Sequence, residues 1–99
     1  MVILVKVIVH YGVPITEITR KAKEEIIVMK GSTVLALLKN LAAKYGDGFK
    51  DYVFSNFEGN QVSKGIIVSL NAKDISAEIE NITVENDVYL GIISPVGGG

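Results

Sequence analysis

The 99-residue sequence predicts an α+β fold in which one long helix packs across one face of a mixed sheet. Two apolar, β-branched runs at residues 2–10 and 88–93 indicate strands near the two ends of the chain. Residues 34–45 between them carry the apolar spacing of a single amphipathic helix. Because a connection between parallel strands is right-handed, the last strand is predicted to pair parallel to the first, at the centre of the sheet.

The composition is that of one globular domain, with 48% hydrophobic and 21% charged residues. The net charge of −1 and the lack of a basic block argue against a nucleic-acid partner. The sequence has no cysteine, which excludes disulfides and thiolate chemistry and fits a cytoplasmic protein. Its apolar start is too short to span a membrane and lacks the basic flank of a signal peptide, so no membrane partner is expected.

Two strands are predicted before the helix. The first, at residues 2–10, is nearly continuous in apolar residues, which is typical of a central strand buried on both faces. The second, at residues 24–29, is predicted to be its hairpin partner, and the loop between them has no clear pattern. Glu24 and Glu25 are neighbours on this strand and point to opposite faces, so they make a poor acid pair for catalysis. His10 is the single histidine, which excludes a multi-histidine metal site.

The helix has the strongest local signals in the sequence. Thr33 supplies a hydroxyl that can cap the first turn, and Gly46 is predicted to be the left-handed residue just after the last turn. The apolar residues between them lie on one face of a helix about three turns long. They are Val34, Leu37, Leu38, Leu41 and Tyr45.

The region after the helix is predicted to add short strands and to close one end of the core. Strands are predicted at residues 66–70, around Ile75 after a turn at 71–74, and at 88–93, with no regular structure assigned to 77–85. After the helix, short-helix spacing occurs at Phe49, Tyr52, Val53 and Phe54, and Phe57 precedes a turn. Burial of these aromatic residues in the core is favoured over the alternative of a partner-facing patch.

The chain ends in a segment that a small folded domain does not need. Residues 94–99 are predicted to form a flexible tail outside a domain made by residues 1–93. Pro95 restricts the direction in which this tail leaves the last strand. Glycines make the narrowest possible strand, and six extended residues reach about 20 Å. Such a tail can enter the active site of another protein; the alternative is a frayed terminus or a leftover linker.

These features, in this order, resemble the ubiquitin-like β-grasp sulfur carriers, and most closely the small subunit of molybdopterin synthase (molybdopterin-converting factor subunit 1). The resemblance covers the whole chain, and it implies a β-grasp fold and a carrier subunit rather than an enzyme. The matching segments are His10-Tyr11-Gly12, Gly31-Ser32-Thr33-Val34, Leu37-Leu38, Leu41, Tyr45-Gly46, Val68-Ser69-Leu70-Asn71 and Pro95-Val96-Gly97-Gly98-Gly99.

The resemblance implies that Gly99 is the reactive residue. Its terminal carboxylate would be adenylated by a separate ubiquitin-activating-type adenylyltransferase that uses ATP, and then converted to a thiocarboxylate that donates sulfur in molybdopterin synthesis. Pro95, Val96, Gly97 and Gly98 would bind in the partner proteins, which are this enzyme and the catalytic large subunit of molybdopterin synthase. The resemblance implies no bound cofactor and no metal. The sequence has no G-x-x-x-x-G-K or G-x-G-x-x-G spacing, which agrees with a nucleotide site on another protein.

Two departures from the family pattern leave alternatives open. Ser94 stands where the family has the first of two prolines, and Gly97 stands in its small-residue position. The functional pair is Gly98-Gly99, or Gly97-Gly98 if Gly99 is removed; the first is preferred because the Pro-Val pair lies nearest the site. The alternative function is a protein modifier joined to lysines through the same glycine, and the third is a plain interaction module. The sequence does not separate molybdenum or tungsten cofactor synthesis from thiamine synthesis or tRNA thiolation.

Overall fold

A computed structural model describes residues 1–94 of the chain. The strands are β1 (Leu4–Tyr11), β2 (Lys23–Met29), β3 (Ser32–Thr33), β4 (Phe54–Asn56), β5 (Gln61–Val62), β6 (Ile67–Leu70), β7 (Lys73–Asp74), β8 (Thr83–Val84) and β9 (Val88–Ile93). The helices are α1 (Ile15–Thr19), α2 (Val34–Tyr45) and α3 (Asp47–Val53). Across these described residues, five strands form one sheet in the order β2-β1-β9-β6-β7, and the pairs β3-β8 and β4-β5 form two small sheets.

The main sheet is mixed, as the sequence predicts. β1 runs antiparallel to β2, with Leu4 opposite Met29. It runs parallel to β9, with Val7 opposite Val88, so the last strand does lie beside the first at the centre of the sheet. β9 is antiparallel to β6 on its other side. The predicted α+β fold, with a helix laid across a mixed sheet, is therefore confirmed.

The predicted helix is confirmed as α2, with one correction at its end. The Thr33 hydroxyl accepts a hydrogen bond of 3.0 Å from the Ala36 N–H, which caps the first turn. Gly46 has φ 87° and ψ −165°, so its φ is positive but its conformation is not the predicted left-handed helical one. The reason is that α3 begins at Asp47, and an extended ψ at Gly46 turns the chain directly into the new helix.

The prediction that the first strand is buried on both faces is wrong. Burial alternates along β1: Val5, Val7 and Val9 are buried, whereas Leu4 and Lys6 are exposed. The buried side chains pack with those of the helices into one core, and no described residue forms a layer on the opposite side of the sheet. We call this uncovered side the outer face. It carries Leu4, Lys6, Ile8, His10, Lys23, Glu25, Ile27, Met29, Tyr89 and Ile93.

The region after α2 adds elements that the sequence pattern indicates only in part. Phe49, Val53 and Phe54 are buried, so the predicted closure of the core by this segment is confirmed for them. The short strand predicted around Ile75 lies at Lys73–Asp74, because Asn71 and Ala72 both have positive φ and turn the chain back at once.

Short elements also occur where no regular structure is predicted. The helix α1 lies in the loop between β1 and β2, and the strand β8 lies within residues 77–85. Within residues 1–94, no helix has the length and apolar character needed to cross a membrane.

Candidate functional site

The candidate site is the end of the sheet where β1 and β9 both finish, which we call the tail end. β9 ends at Ile93, and Ser94 is the last residue that the structure describes. The predicted site residues lie outside the described residues, so their roles and the proposed domain boundary stay predictions. These residues are Pro95, Val96, Gly97, Gly98 and Gly99.

Gly12 holds the last strand at the tail end. Its N–H donates a hydrogen bond of 2.9 Å to the carbonyl oxygen of Ile92. A Cβ atom at position 12 would lie 3.1 Å from the Cα of Ile93, which is closer than ordinary van der Waals contact. A residue with a Cβ would require the end of β9 to move by a few tenths of an ångström. The contact therefore fixes where the chain leaves the sheet.

A buried carboxylate joins three elements beside this exit. The Tyr11 hydroxyl donates a 2.5 Å hydrogen bond to Oε1 of Glu24, and the Tyr45 hydroxyl donates to the same oxygen. The Lys44 ammonium donates to Oε2 at 2.7 Å. The Glu24 side chain is only 8% exposed. Because Tyr11 is on β1, Glu24 on β2 and the other two donors on α2, the cluster ties the helix to the sheet edge.

The charges in this Glu24 cluster are set by its hydrogen bonds. Burial alone would raise the pKa of Glu24, but the hydrogen bonds from Lys44, Tyr11 and Tyr45 outweigh it and lower the pKa to about 2. Burial, followed by the hydrogen bond to Glu24, raises the pKa of Tyr11. At neutral pH the carboxylate is therefore ionised and the phenol protonated. A carboxylate of such low pKa takes up no proton at this pH. The cluster therefore has a structural role and is not suited to acid–base catalysis.

Sequence reasoning places Glu24 and Glu25 on opposite faces, which the structure confirms, but it does not find the cluster. A signal was present: Glu24 shares its face with Ile26 and Val28, and both of these pack against the core. A carboxylate at such a position needs hydrogen-bond donors. Which donors these are depends on how the strands and α2 pack.

The outer face next to the tail end presents an aromatic and aliphatic surface. The ring of His10 lies 5.8 Å from that of Tyr89, centroid to centroid, and the Tyr89 side chain is 60% exposed. Ile93 is also partly exposed beside Ser94. A shallow depression of about 380 Å³ lies between Tyr89, Ile8 and the charged residues of β2.

Two other features of the described residues lie outside this site. A depression of about 490 Å³ lies between the β4-β5 hairpin and residues 76–80 and shares no residue with the tail end. Within residues 1–94, no three side chains of the types that bind metals come together.

A β-grasp sheet with α2 across it, whose last strand runs beside the first and leads out to a glycine-rich end, defines a ubiquitin-like protein. The model of the ThiS family matches residues 9–99, and the chain belongs to this family. The resemblance to ubiquitin-like sulfur carriers is thus confirmed. No curated protein matches the sequence at a significant level.

Several solved structures share the fold. The HVO 2177 protein of Haloferax volcanii has a TM-score of 0.78 and 18% identity, over 97% of this chain and 88% of its own. The putative molybdopterin converting factor, subunit 1, of Pyrococcus furiosus has a TM-score of 0.72 and 21% identity, over 93% and 99%. SAMP1 of Haloferax volcanii has a TM-score of 0.76 and 18% identity, over 95% and 99%. At these identities the likeness concerns the fold.

Proposed function

We propose that this chain is a cytoplasmic sulfur carrier that works at its last residue, Gly99. The terminal carboxylate is adenylated, converted to a thiocarboxylate, and donates its sulfur in the synthesis of molybdopterin for the molybdenum or tungsten cofactor. The observation that carries the proposal is the match to the ThiS family model, which extends through the glycine-rich end to residue 99. The end of β9 at Ile93, six residues before the chain end, supports it.

The proposed chemistry needs an activating enzyme. An α-carboxyl group has a pKa of about 3.3–3.7, so at neutral pH it is ionised and is a poor electrophile. Attack of a carboxylate oxygen on the α-phosphorus of ATP releases pyrophosphate and forms an acyl adenylate. Hydrosulfide supplied by a sulfur donor then attacks the acyl carbon, AMP leaves with the bonding electron pair, and loss of the remaining S–H proton gives the thiocarboxylate. The nucleotide belongs to a separate ubiquitin-activating-type adenylyltransferase, for which this chain is the substrate.

We propose that partner proteins dock on the outer face beside the tail end. Ordering the tail costs about 1–2 kcal/mol of backbone entropy per residue, so the folded domain must contribute binding energy of its own. Tyr89, Ile93 and His10 form an exposed surface next to the exit from the sheet, where a docked partner would also receive the tail. The partners are the activating enzyme and then a large subunit of the molybdopterin synthase type, which supplies the catalytic residues.

A protein modifier is the second candidate. Two solved structures with the same fold are of small archaeal modifier protein 1, one from Haloferax volcanii and one from Methanosarcina acetivorans. Attack by a lysine amine on the same acyl adenylate would form an isopeptide bond and release AMP. Both functions therefore need the same activated Gly99, and they differ in the nucleophile.

Intact mass of the protein purified from its native cells distinguishes these functions. A gain of about 16 Da, from one oxygen replaced by sulfur, is expected for the carrier. Conjugates to the lysines of other proteins would favour the modifier. A chain that carries neither, in cells that are making molybdopterin, contradicts both and leaves the interaction module.

Deletion of the gene tests the pathway. We expect the deletion strain to lose molybdopterin, and the wild-type chain but not one truncated after Ser94 to restore it. A strain that keeps molybdopterin and instead loses thiamine or thiolated tRNA would assign the sulfur to another product.

A further inference from the structure

The start of the chain forms a second exposed apolar surface, far from the tail end. We call it the apolar corner, and it consists of residues 1–4 with Met29. Leu4 is 61% exposed and Met29 is 58% exposed, and the three residues before Leu4 are exposed as well. Residues 1–3 and Met29, together with Lys30 and Glu85, line a depression of about 440 Å³. A patch of exposed apolar side chains with a polar rim is typical of a protein–protein contact.

The backbone at this corner has an open side. β9 pairs with β1 only from Val7 to Tyr11. Before Val7, the N–H of Lys6 donates to the side chain of Asp87, and no described residue forms a strand beside residues 2–5 on that side. A strand with such an open side can accept another strand through backbone hydrogen bonds.

We propose that the apolar corner binds a second copy of this chain in a two-fold symmetric dimer. A two-fold axis places the same patch on both sides of the contact, so the patch must complement itself. The side chains of the corner are all apolar, and the charged side chains that line the depression with them are Lys30 and Glu85. Neither Lys30 nor Glu85 forms an ion pair within the described residues. If the two-fold axis passes between Lys30 and Glu85, Lys30 of each copy lies opposite Glu85 of the other copy, and two ion pairs can form across the contact.

The dimer leaves the tail end accessible. Because β1 and β9 are parallel, the start of β1 and the end of β9 lie at opposite ends of the sheet. The eight residues of β1 separate them by roughly 26 Å. Each copy can therefore present its Ser94 end to another protein while its apolar corner is covered. The dimer does not depend on the proposed function.

Sedimentation velocity over a range from about 1 μM to about 1 mM tests the dimer. The wild-type chain is expected to shift from its single-chain mass of 10.7 kDa toward twice that value. The double variant Leu4→Lys/Met29→Lys should remain at the single-chain mass, because it buries a charge in the contact. Val13→Lys is the matched control: Val13 is 70% exposed but lies at the tail end, so this variant should dimerise as the wild type does.

The charged rim gives a sharper test. Lys30→Glu and Glu85→Lys should each weaken dimerisation by about tenfold or more, because each places like charges together twice. The double exchange Lys30→Glu/Glu85→Lys should restore it. A mixture of the two single variants should also dimerise, since one copy then carries two acidic rim residues and the other two basic ones. Circular dichroism and the melting temperature report whether each variant is folded.

Three results would overturn the proposal. The first is a wild-type chain that keeps its single-chain mass at every concentration. This result counts against the dimer even if the chain binds a different protein at this corner. The second is a dimer that survives Leu4→Lys/Met29→Lys but is lost in Tyr89→Lys, which would place the contact on the outer face beside the tail end. The third is a pair of charge variants that fail to dimerise when mixed although both are folded.

Discussion

At the scale of single residues, the Glu24 cluster shows how one carboxylate holds three elements together. Its oxygens receive hydrogen bonds from Tyr11 on β1 and from the adjacent Lys44 and Tyr45 on α2. Removing the charge would leave the buried Tyr11 hydroxyl without a charged acceptor and would remove the ion pair of the half-exposed Lys44. Leaving a buried hydrogen-bond donor unsatisfied costs more free energy than an ordinary hydrogen bond contributes.

The low pKa of Glu24 predicts an acid-sensitive stability. Glu24 titrates near 4.5 when unfolded and near 2 when folded, so between these values the unfolded chain binds more protons. The free energy of unfolding should therefore fall as pH drops from about 5 to about 2, by about 1–3 kcal/mol from this group once solvent screening of the half-exposed Lys44 is allowed for. Denaturant unfolding across this pH range measures it.

Glu24→Gln should flatten this pH dependence and lower stability at neutral pH. Glu25→Gln is the matched control, because the neighbouring Glu25 lies on the outer face with its side chain 53% exposed. It should change the pH profile little. The same acid loss in Glu24→Gln as in the wild type would show that another group is responsible.

A second residue-scale prediction concerns the turn before β7. Ala72 has φ 73°, a backbone conformation that costs a residue with a Cβ about 1 kcal/mol. Ala72→Gly removes this cost, but glycine also adds conformational entropy to the unfolded chain, which offsets part of the gain. The free energy of unfolding should therefore rise by roughly 0.5 kcal/mol. Ala43→Gly, on the exposed side of α2, should instead lower it by about 1 kcal/mol. Urea denaturation of both variants measures these changes. A loss of stability in both variants would show that the backbone at Ala72 is not strained.

At the scale of elements, the position of β9 decides where the chain leaves the sheet. The strand is held by β1 on one side and β6 on the other, and at its end by the backbone contact with Gly12. This arrangement couples the loop after β1 to the base of the tail, although the two are about 80 residues apart in sequence.

Gly12→Ala tests this coupling. The added methyl group would lie 3.1 Å from the Cα of Ile93, so the end of β9 must shift. We expect the free energy of unfolding to fall by about 1–3 kcal/mol and, under the proposed function, the yield of thiocarboxylate to fall with it. Gly48→Ala is the control, since its Cβ would meet its nearest neighbour, on Ile18, at an ordinary 3.9 Å. Denaturation and intact mass are the measurements, and an unchanged Gly12→Ala variant would show that the contact does not matter.

At the scale of the whole molecule, the sheet has one covered side and two distinct ends. The helices cover the inner side and leave the outer face open. The tail leaves from one end, and the apolar corner occupies the other. Under the proposed function, a partner that receives the chain at Ser94 therefore does not meet the apolar corner.

The tail glycines should matter for activation and not for folding. Under the proposed function, Gly98→Ala and Gly99→Ala are expected to melt at the wild-type temperature but to form no thiocarboxylate, because a Cβ would clash in the channel of the activating enzyme. Gly65→Ala is the matched control, since no atom lies within 4 Å of the Cβ it would add, and it should be activated normally. Intact mass after incubation with the activating enzyme and a sulfur donor gives the yield. Equal yields from all three variants would rule out this role for the tail.

The sequence by itself determined the elements whose signals are local. The helix α2 was predictable because its cap at Thr33 and its apolar spacing lie within a dozen consecutive residues. The parallel centre of the sheet followed from two apolar strands joined across a helix, because such connections have one hand. The family resemblance depended on the same local features, in their order along the chain.

Only the tertiary structure decided what covers each strand and which distant side chains meet. An apolar run such as residues 2–10 reads the same whether one or both of its faces are covered, and here the outer face is left open. The Glu24 cluster and the contact of Gly12 with Ile93 join residues that are 13 to 81 positions apart. Such pairs are set by the packing of β1, β2, β9 and α2, and no single stretch of sequence contains that information.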